Sequence, residues 1–190
     1  MLRKIPWLVL ALLAAAALVV VLASQNRDLR EQRDMLEKRA FEPYPGMWLP
    51  KVPATTLDGA KVELGTAPRE FQLLYFFTPT CPYCKQSAPM VRQLAERLAG
   101  DADRVQLLGV ADGRLDPVQR YVAEHDFDFP VVLLSDRRTL ALFKAQSVPL
   151  LVVVDARGRV RHSHLGVFDR PEELDAMLKA VAPGQARPAD

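Results

Sequence analysis

Phe71-Gln72-Leu73-Leu74-Tyr75-Phe76-Phe77-Thr78-Pro79-Thr80-Cys81-Pro82-Tyr83-Cys84 joins an apolar run to the only two cysteines of a 190-residue chain. Phe71 to Phe77 is apolar almost without a break, the pattern of a strand buried on both faces. After Cys84, Val91, Leu94, Ala95 and Leu98 recur at helical spacing. The cysteines therefore stand where a strand gives way to a helix, and Cys-x-x-Cys at such a junction is a redox motif. The unpaired N–H groups and dipole of a helix N-terminus favour negative charge, which suits a nucleophilic thiolate. Two cysteines cannot build a disulfide framework, and four zinc ligands are not in evidence. A bond between Cys81 and Cys84 closes too small a loop to add much stability. The pair reads as reactive.

The segments around the motif set its frame. Val105 to Val110 is a second buried strand. Asp116-Pro117 starts a helix, with Asp116 as cap and Val118, Tyr121 and Val122 facing inward. Phe129 to Leu134 is a short strand or a packed loop, and Asp136 caps a helix through Leu140 and Phe143. Leu150 to Val154 is the strongest strand signal, turning through Asp155-Ala156-Arg157-Gly158 into Val160 to His164. Asp169-Arg170-Pro171-Glu172 has capping-box spacing before a last helix with Leu174, Met177, Leu178 and Val181 inward. Pro89 is expected to kink the helix that follows the cysteines. On the N-terminal side, Leu57-Asp58-Gly59-Ala60-Lys61 turns between Val52–Thr56 and Val62 and Leu64, a hairpin. A helix between two strands implies a parallel pair, and the late hairpin adds antiparallel strands. The fold class is α/β, a mixed sheet covered by helices.

Ahead of this lies a segment of another kind. Ile5 to Ala23 carries no charge and would rise about 28 Å as a helix, close to the roughly 30 Å hydrocarbon core of a bilayer. A cleaved signal peptide ending near Val21-Leu22-Ala23 is the competing reading, and the length favours an anchor. Arg3 and Lys4 favour a cytoplasmic N-terminus, whereas Arg27, Arg30, Arg33, Lys38 and Arg39 count the other way, so charge alone does not set the side. Ser24 to Ala40 is a polar helical stalk in which Leu29 and Leu36 offer a single heptad step. The segments are an anchor at 1–23, a stalk and linker at 24–45, a globular domain at 46–181 and a frayed tail at 182–190. Hydrophobic content of 49% is enough for a core. A net charge of +2 without a lysine or arginine block points away from nucleic acid.

The motif order resembles the thioredoxin fold, and within it the membrane-anchored thiol–disulfide oxidoreductases of the TlpA/ResA type. Cys81-Pro82-Tyr83-Cys84 follows the strand, and Pro89 stands five residues beyond the second cysteine. Val148-Pro149 immediately precedes the strong strand, where that family has a cis-proline loop, and Asp155-x-x-Gly158 closes the next hairpin. The early hairpin and the stretch from Asp116 to Asp136 resemble TlpA-type elaborations. The resemblance implies catalysis by Cys81, the attacking thiol, and Cys84, the resolving one, through a redox-active disulfide between them. It also implies substrate contacts at Pro82, Tyr83, Val148 and Pro149, with neither a metal nor an organic cofactor. Protein thiols and disulfides are the implied substrates, with apocytochrome c cysteines (cytochrome c biogenesis), other periplasmic enzymes and a specific maturation pathway all open, served by a membrane or periplasmic redox partner. Most tethered relatives are reductases on the periplasmic face of a bacterial inner membrane, held by one span, here residues 5–23.

The chain departs from the family pattern in three places. Thr80 stands where a tryptophan is usual, Leu73 to Phe77 holds no carboxylate, and Lys85-Gln86-Ser87 holds no glutamate. The group that takes the Cys84 proton is thus unassigned. Two rival readings remain beside this one. A copper module of the SCO type would use His162 and His164, but its cysteines stand one residue further apart. A peroxiredoxin would use Thr78, but Leu74 occupies the place of its proline.

Overall fold

The computed structural model describes residues 5–182. Arg3, Lys4 and the expected tail beyond 182 lie outside the described residues. The chain divides into two units, Met1–Phe41 and Glu42–Asp190. The first is a single helix, α1 (Ile5–Phe41). It passes Ser24, whose hydroxyl bonds back to the Val21 carbonyl at 2.8 Å, because nothing from there to Phe41 is a glycine or proline. Every side chain from Val9 to Arg30 is exposed, and this apolar stretch, of mean hydropathy 2.2, is long enough to cross a membrane.

The second unit is built on a five-stranded sheet of β3 (Phe71–Phe77), β4 (Val105–Ala111), β5 (Val131–Leu133), β6 (Leu150–Asp155) and β7 (Val160–Leu165), in the order β5-β4-β3-β6-β7. The β3 strand pairs parallel with β4 from Phe71↔Val105 to Phe77↔Ala111, and antiparallel with β6 from Phe71↔Asp155 to Phe76↔Leu150. All seven β3 residues are buried. Its alternation divides the core. Phe71, Leu73, Tyr75 and Phe77 pack on α2 (Pro82–Leu98), α3 (Leu115–Glu124) and α5 (Pro171–Ala180), whereas Leu74 and Phe76 face α4 (Arg137–Leu142) and the N-terminal hairpin.

That hairpin, β1 (Val52–Thr55) with β2 (Lys61–Leu64), is a separate two-stranded sheet. Gln72, the one polar residue of β3, ties it down. Its amide donates to the Glu63 carbonyl and to Gln106 Oε1, and its oxygen accepts from the Gly65 N–H, each at 2.8 Å. Gly65 has φ +83°, and a Cβ there would stand 2.1 Å from the Pro50 carbonyl oxygen, so only glycine fits. The folded unit starts at Glu42, ahead of the expected Gly46, because the Pro43 carbonyl accepts from Ser163 Oγ at 2.6 Å and the Gly46 N–H donates to the Val160 carbonyl of β7 at 2.8 Å.

Two helix starts differ from expectation. Arg114 holds the cap position of α3, and Asp116 is already in the first turn, where its charge suits the dipole without closing a cap. At α5 the cap position falls to Arg170. The Glu173 carboxylate, rather than Glu172, accepts from the Asp169 and Arg170 N–H groups, each at 3.2 Å. Asp136 caps α4 as expected, accepting from the Thr139 N–H at 2.9 Å. The α2 helix continues through Pro89.

Candidate active site

The site forms at the C-terminal end of β3. A tight turn, with the Cys81 N–H donating to the Thr78 carbonyl at 3.1 Å, places Cys81 at the cap of α2. Pro82 takes the first helical position, where its missing N–H leaves no bond unmade. Because β6 runs antiparallel to β3, its beginning arrives at the same edge. This brings the Val148–Pro149 peptide, which is cis, against the motif. Cys81 Sγ donates toward the Val148 carbonyl oxygen at 3.7 Å. Two stretches far apart in sequence meet there.

The two thiols, both free, differ in environment: Cys81 is half-buried and Cys84 is buried. Burial pushes the Cys84 thiol up to about 12 from an ordinary 9.0. Tyr83 is 58% exposed, Pro82 is exposed and Lys85 is exposed at the surface beyond them. The structure thus brings Cys81, Pro82, Tyr83 and Val148 to one surface, with Pro149 and Cys84 buried beneath it.

The first turn of α2 is tied down from behind. Ser87 Oγ donates to the Tyr83 carbonyl and accepts from the Phe168 N–H, both at 2.8 Å, and Gln86 Nε2 donates to Asp169 Oδ2 at 2.7 Å. Sequence reading gave these residues no part in the site, and none to two phenols. Tyr121 Oη donates to the Cys84 carbonyl oxygen at 2.8 Å, and Tyr75 Oη approaches the same atom at 3.5 Å. A usable signal was present, since a tyrosine in a fully buried strand needs a partner for its hydroxyl.

The rival readings find little support in this geometry. His164 Nε2 lies 2.9 Å from the Val167 carbonyl oxygen and its ring packs edge-on to Phe168, while His162 sits opposite Val153 in the β6–β7 pair. Among the described residues, no group of three or more histidine, cysteine, aspartate or glutamate side chains is placed to hold a metal ion. Leu74 lies in the core layer opposite the cysteines.

A pH dependence follows from the buried thiol. Between pH 9 and 12 the unfolded dithiol chain has lost a proton that native Cys84 retains, so native stability falls as pH rises. In the disulfide form Cys84 carries no proton and this loss disappears. Urea midpoints measured at pH 8 and pH 10 should therefore drop further for the reduced protein than for the oxidised one. Equal drops would show that Cys84 titrates as an ordinary thiol.

The sequence pattern of one family, Redoxin, matches residues 44–178, most of the chain. The chain belongs to the redoxin family. This redoxin is 28% identical over 181 residues to the methylamine utilization protein MauD of Methylorubrum extorquens, covering 93% of this chain and 84% of MauD. It is 23% identical over 146 residues to the thiol–disulfide oxidoreductase ResA of Bacillus cereus, covering 73% of this chain and 79% of ResA. Among solved structures, the thioredoxin domain of a thiol–disulfide oxidoreductase from Bacteroides vulgatus superposes with a TM-score of 0.62 at 21% identity. That match covers 73% of the redoxin and 99% of the domain. StoA from Bacillus subtilis superposes with a TM-score of 0.59 at 18% identity, covering 73% and 100%. The redoxin therefore has the thioredoxin-like fold, a mixed sheet with flanking helices.

Proposed function

We propose that this redoxin is a thiol–disulfide oxidoreductase acting on protein substrates through a Cys81–Cys84 couple. The observation that carries the reading is the asymmetry of the pair. Cys81 is accessible at a helix start, 3.7 Å from the Val148 carbonyl oxygen, and Cys84 is fully buried one turn behind it. One thiol is thus placed to attack a substrate disulfide and the other to resolve the mixed disulfide that forms. Val148 presents its backbone to an extended substrate, buried Pro149 packs beneath it with its carbonyl accepting from the Gly166 N–H at 3.0 Å, and Pro82 and Tyr83 rim the opening. The names of the relatives, ResA among them, support this chemistry.

The finer reading is a reductase tethered by one membrane span, with the domain of residues 46–181 on the periplasmic side and residues 24–45 as its stalk. The apolar Val9–Arg30 stretch supports the tether, as does a MauD alignment long enough to include most of α1. Strong thiol oxidants owe their potential to a stabilised reduced form, and buried Cys84, its thiolate disfavoured, supplies no such stabilisation. Equilibration of the couple against glutathione should give a potential below about −200 mV, on the thioredoxin side of the range. A value near about −120 mV would reverse the assigned direction. Retention of substrate proteins on Cys81 in a Cys84→Ser variant tests the exchange chemistry itself.

A further inference from the structure

The β3–β6 pairing ends at Phe76↔Leu150, so the cysteine turn and the Val148–Pro149 loop both lie beyond the last ladder pair joining their strands. Across that gap Cys81 Sγ donates toward the Val148 carbonyl oxygen at 3.7 Å. A thiol is a weak donor and cannot hold two loops at a fixed separation. Pro149 has no N–H with which to add a bond. A firmer connection runs behind, through the Gly166–Asp169 segment that leads from β7 to α5. We propose that Ser87, with Gln86 beside it, is a positioning residue for substrate. Through this segment it locks the first turn of α2 to the Val148–Pro149 loop, so that Cys81 and the backbone receiving an extended substrate keep one spacing. This role rests on the exchange reading of the Cys81–Cys84 couple.

The segment grips both sides. The Gly166 N–H donates to the Pro149 carbonyl at 3.0 Å, which carries the β6–β7 ladder one step past Leu150↔Leu165. Gly166 takes φ +106°, a left-handed conformation that other residues rarely adopt. Two residues on, the Phe168 N–H donates to Ser87 Oγ at 2.8 Å, and the same hydroxyl donates to the Tyr83 carbonyl at 2.8 Å. Tyr83 stands between the two cysteines, so the bond from Ser87 reaches into the motif itself. Ser87 and Phe168 are both fully buried. Removing the hydroxyl would leave the Phe168 N–H without its acceptor and away from water. Nearer the surface, Gln86 Nε2 donates to Asp169 Oδ2 at 2.7 Å, a second bond along the same seam. The segment is itself held, since the Phe168 side chain belongs to the core layer with Val91 and Met177, and His164 Nε2 lies 2.9 Å from the Val167 carbonyl oxygen.

A peptide substrate has to place its sulfur at Cys81 and its backbone on Val148 at once. Play between those two points costs it orientation. A small disulfide that meets Cys81 alone loses nothing by such play. Ser87 therefore acts selectively on peptide substrates.

The test uses the full-length reduced protein in detergent and two disulfides that share a leaving group. One is 2,2′-dithiodipyridine, and the other is a short peptide whose single cysteine carries a 2-pyridyl disulfide. The Cys81 thiolate forms a bond to one sulfur, the disulfide breaks, and 2-thiopyridone leaves with the electron pair and takes a proton from water. Its absorbance follows both reactions. The quantity read is the peptide rate divided by the aryl rate, set against the same ratio for free glutathione.

The wild-type ratio should exceed that of glutathione, and Ser87→Ala should lower it about tenfold, as expected for the loss of roughly one hydrogen bond. An unchanged ratio, equal slowing on both disulfides included, overturns the positioning role, because lost stability alone does not distinguish the two. If Ser87→Ala fails to fold by circular dichroism, Gln86→Glu takes its place. Two opposed carboxylates should then lower the ratio, and adding Asp169→Asn, which restores a hydrogen bond with donor and acceptor exchanged, should return it. A ratio unmoved by Gln86→Glu, or not restored in the double variant, overturns the role equally. A wild-type ratio no higher than that of glutathione removes the peptide site and overturns the inference while leaving exchange intact. Release from neither disulfide removes the exchange reading itself, and this inference with it.

Discussion

Cys84→Ser should accumulate substrate proteins on Cys81 as mixed disulfides that dissolve on reduction, while Cys81→Ser should abolish exchange by roughly a thousandfold or more, since the thiolate is the nucleophile. The difference between the variants comes from position. Cys81 is within reach of a partner protein, so its attack survives the loss of Cys84. A serine hydroxyl at position 84 cannot displace sulfur at neutral pH, and the complex is held. Cys84 is completely buried, so with Cys81 replaced the remaining thiol has no route to a substrate and no complex should form. Non-reducing electrophoresis of cells expressing each variant reads both outcomes. Exchange that survives in the double Cys81→Ser, Cys84→Ser variant would remove the couple from the chemistry altogether.

Phe77→Ala should cost about 3–5 kcal/mol of stability, the range for truncating a fully buried phenylalanine. Phe77 has no exposed surface, and its ring stacks on Tyr75 and Tyr121 and meets Phe127 edge-on at 6.1 Å. For a folded unit of this size each kcal/mol lowers Tm by about 2–4 °C, so a fall of roughly 10 °C is expected. Tyr83→Ala, at a mostly exposed position two residues beyond Cys81, should change stability by no more than about 0.5 kcal/mol. Thermal unfolding of the two variants side by side checks the contrast. Equal Tm values would mean that the aromatic cluster under the cysteines is not part of the cooperative core.

Much of the fold was legible because β3 and β6 are buried on both faces and bounded by turn chemistry. Phe71 to Phe77 reads as a strand with both boundaries right. The Asp155 turn was legible because its carboxylate accepts the Arg157 and Arg159 N–H groups at 2.9 and 3.0 Å, a local arrangement set by neighbouring residues. Val148-Pro149 stood out by its place ahead of β6. Helix starts were less legible. Asp116 and Asp169 looked like caps, but the cap positions fall on Arg114, two residues earlier, and on Arg170, one residue later. Least legible was the convergence of Tyr75 and Tyr121. Strand and helix patterns show that each ring points inward, and only the packing of α3 over β3 shows that both hydroxyls arrive at Cys84.

The cysteine motif is attached to the middle strand of five, bonded on one side to β4 and on the other to β6. Amide protons exchange with solvent first where few bonds must break, at termini and sheet edges, and last where only global unfolding exposes them. Here the edges are the three residues of β5 and the partly exposed β7. Fraying can begin there while β3 keeps its partners. The Cys81–Cys84 motif therefore follows directly on the strand that fraying from the sheet edges reaches last.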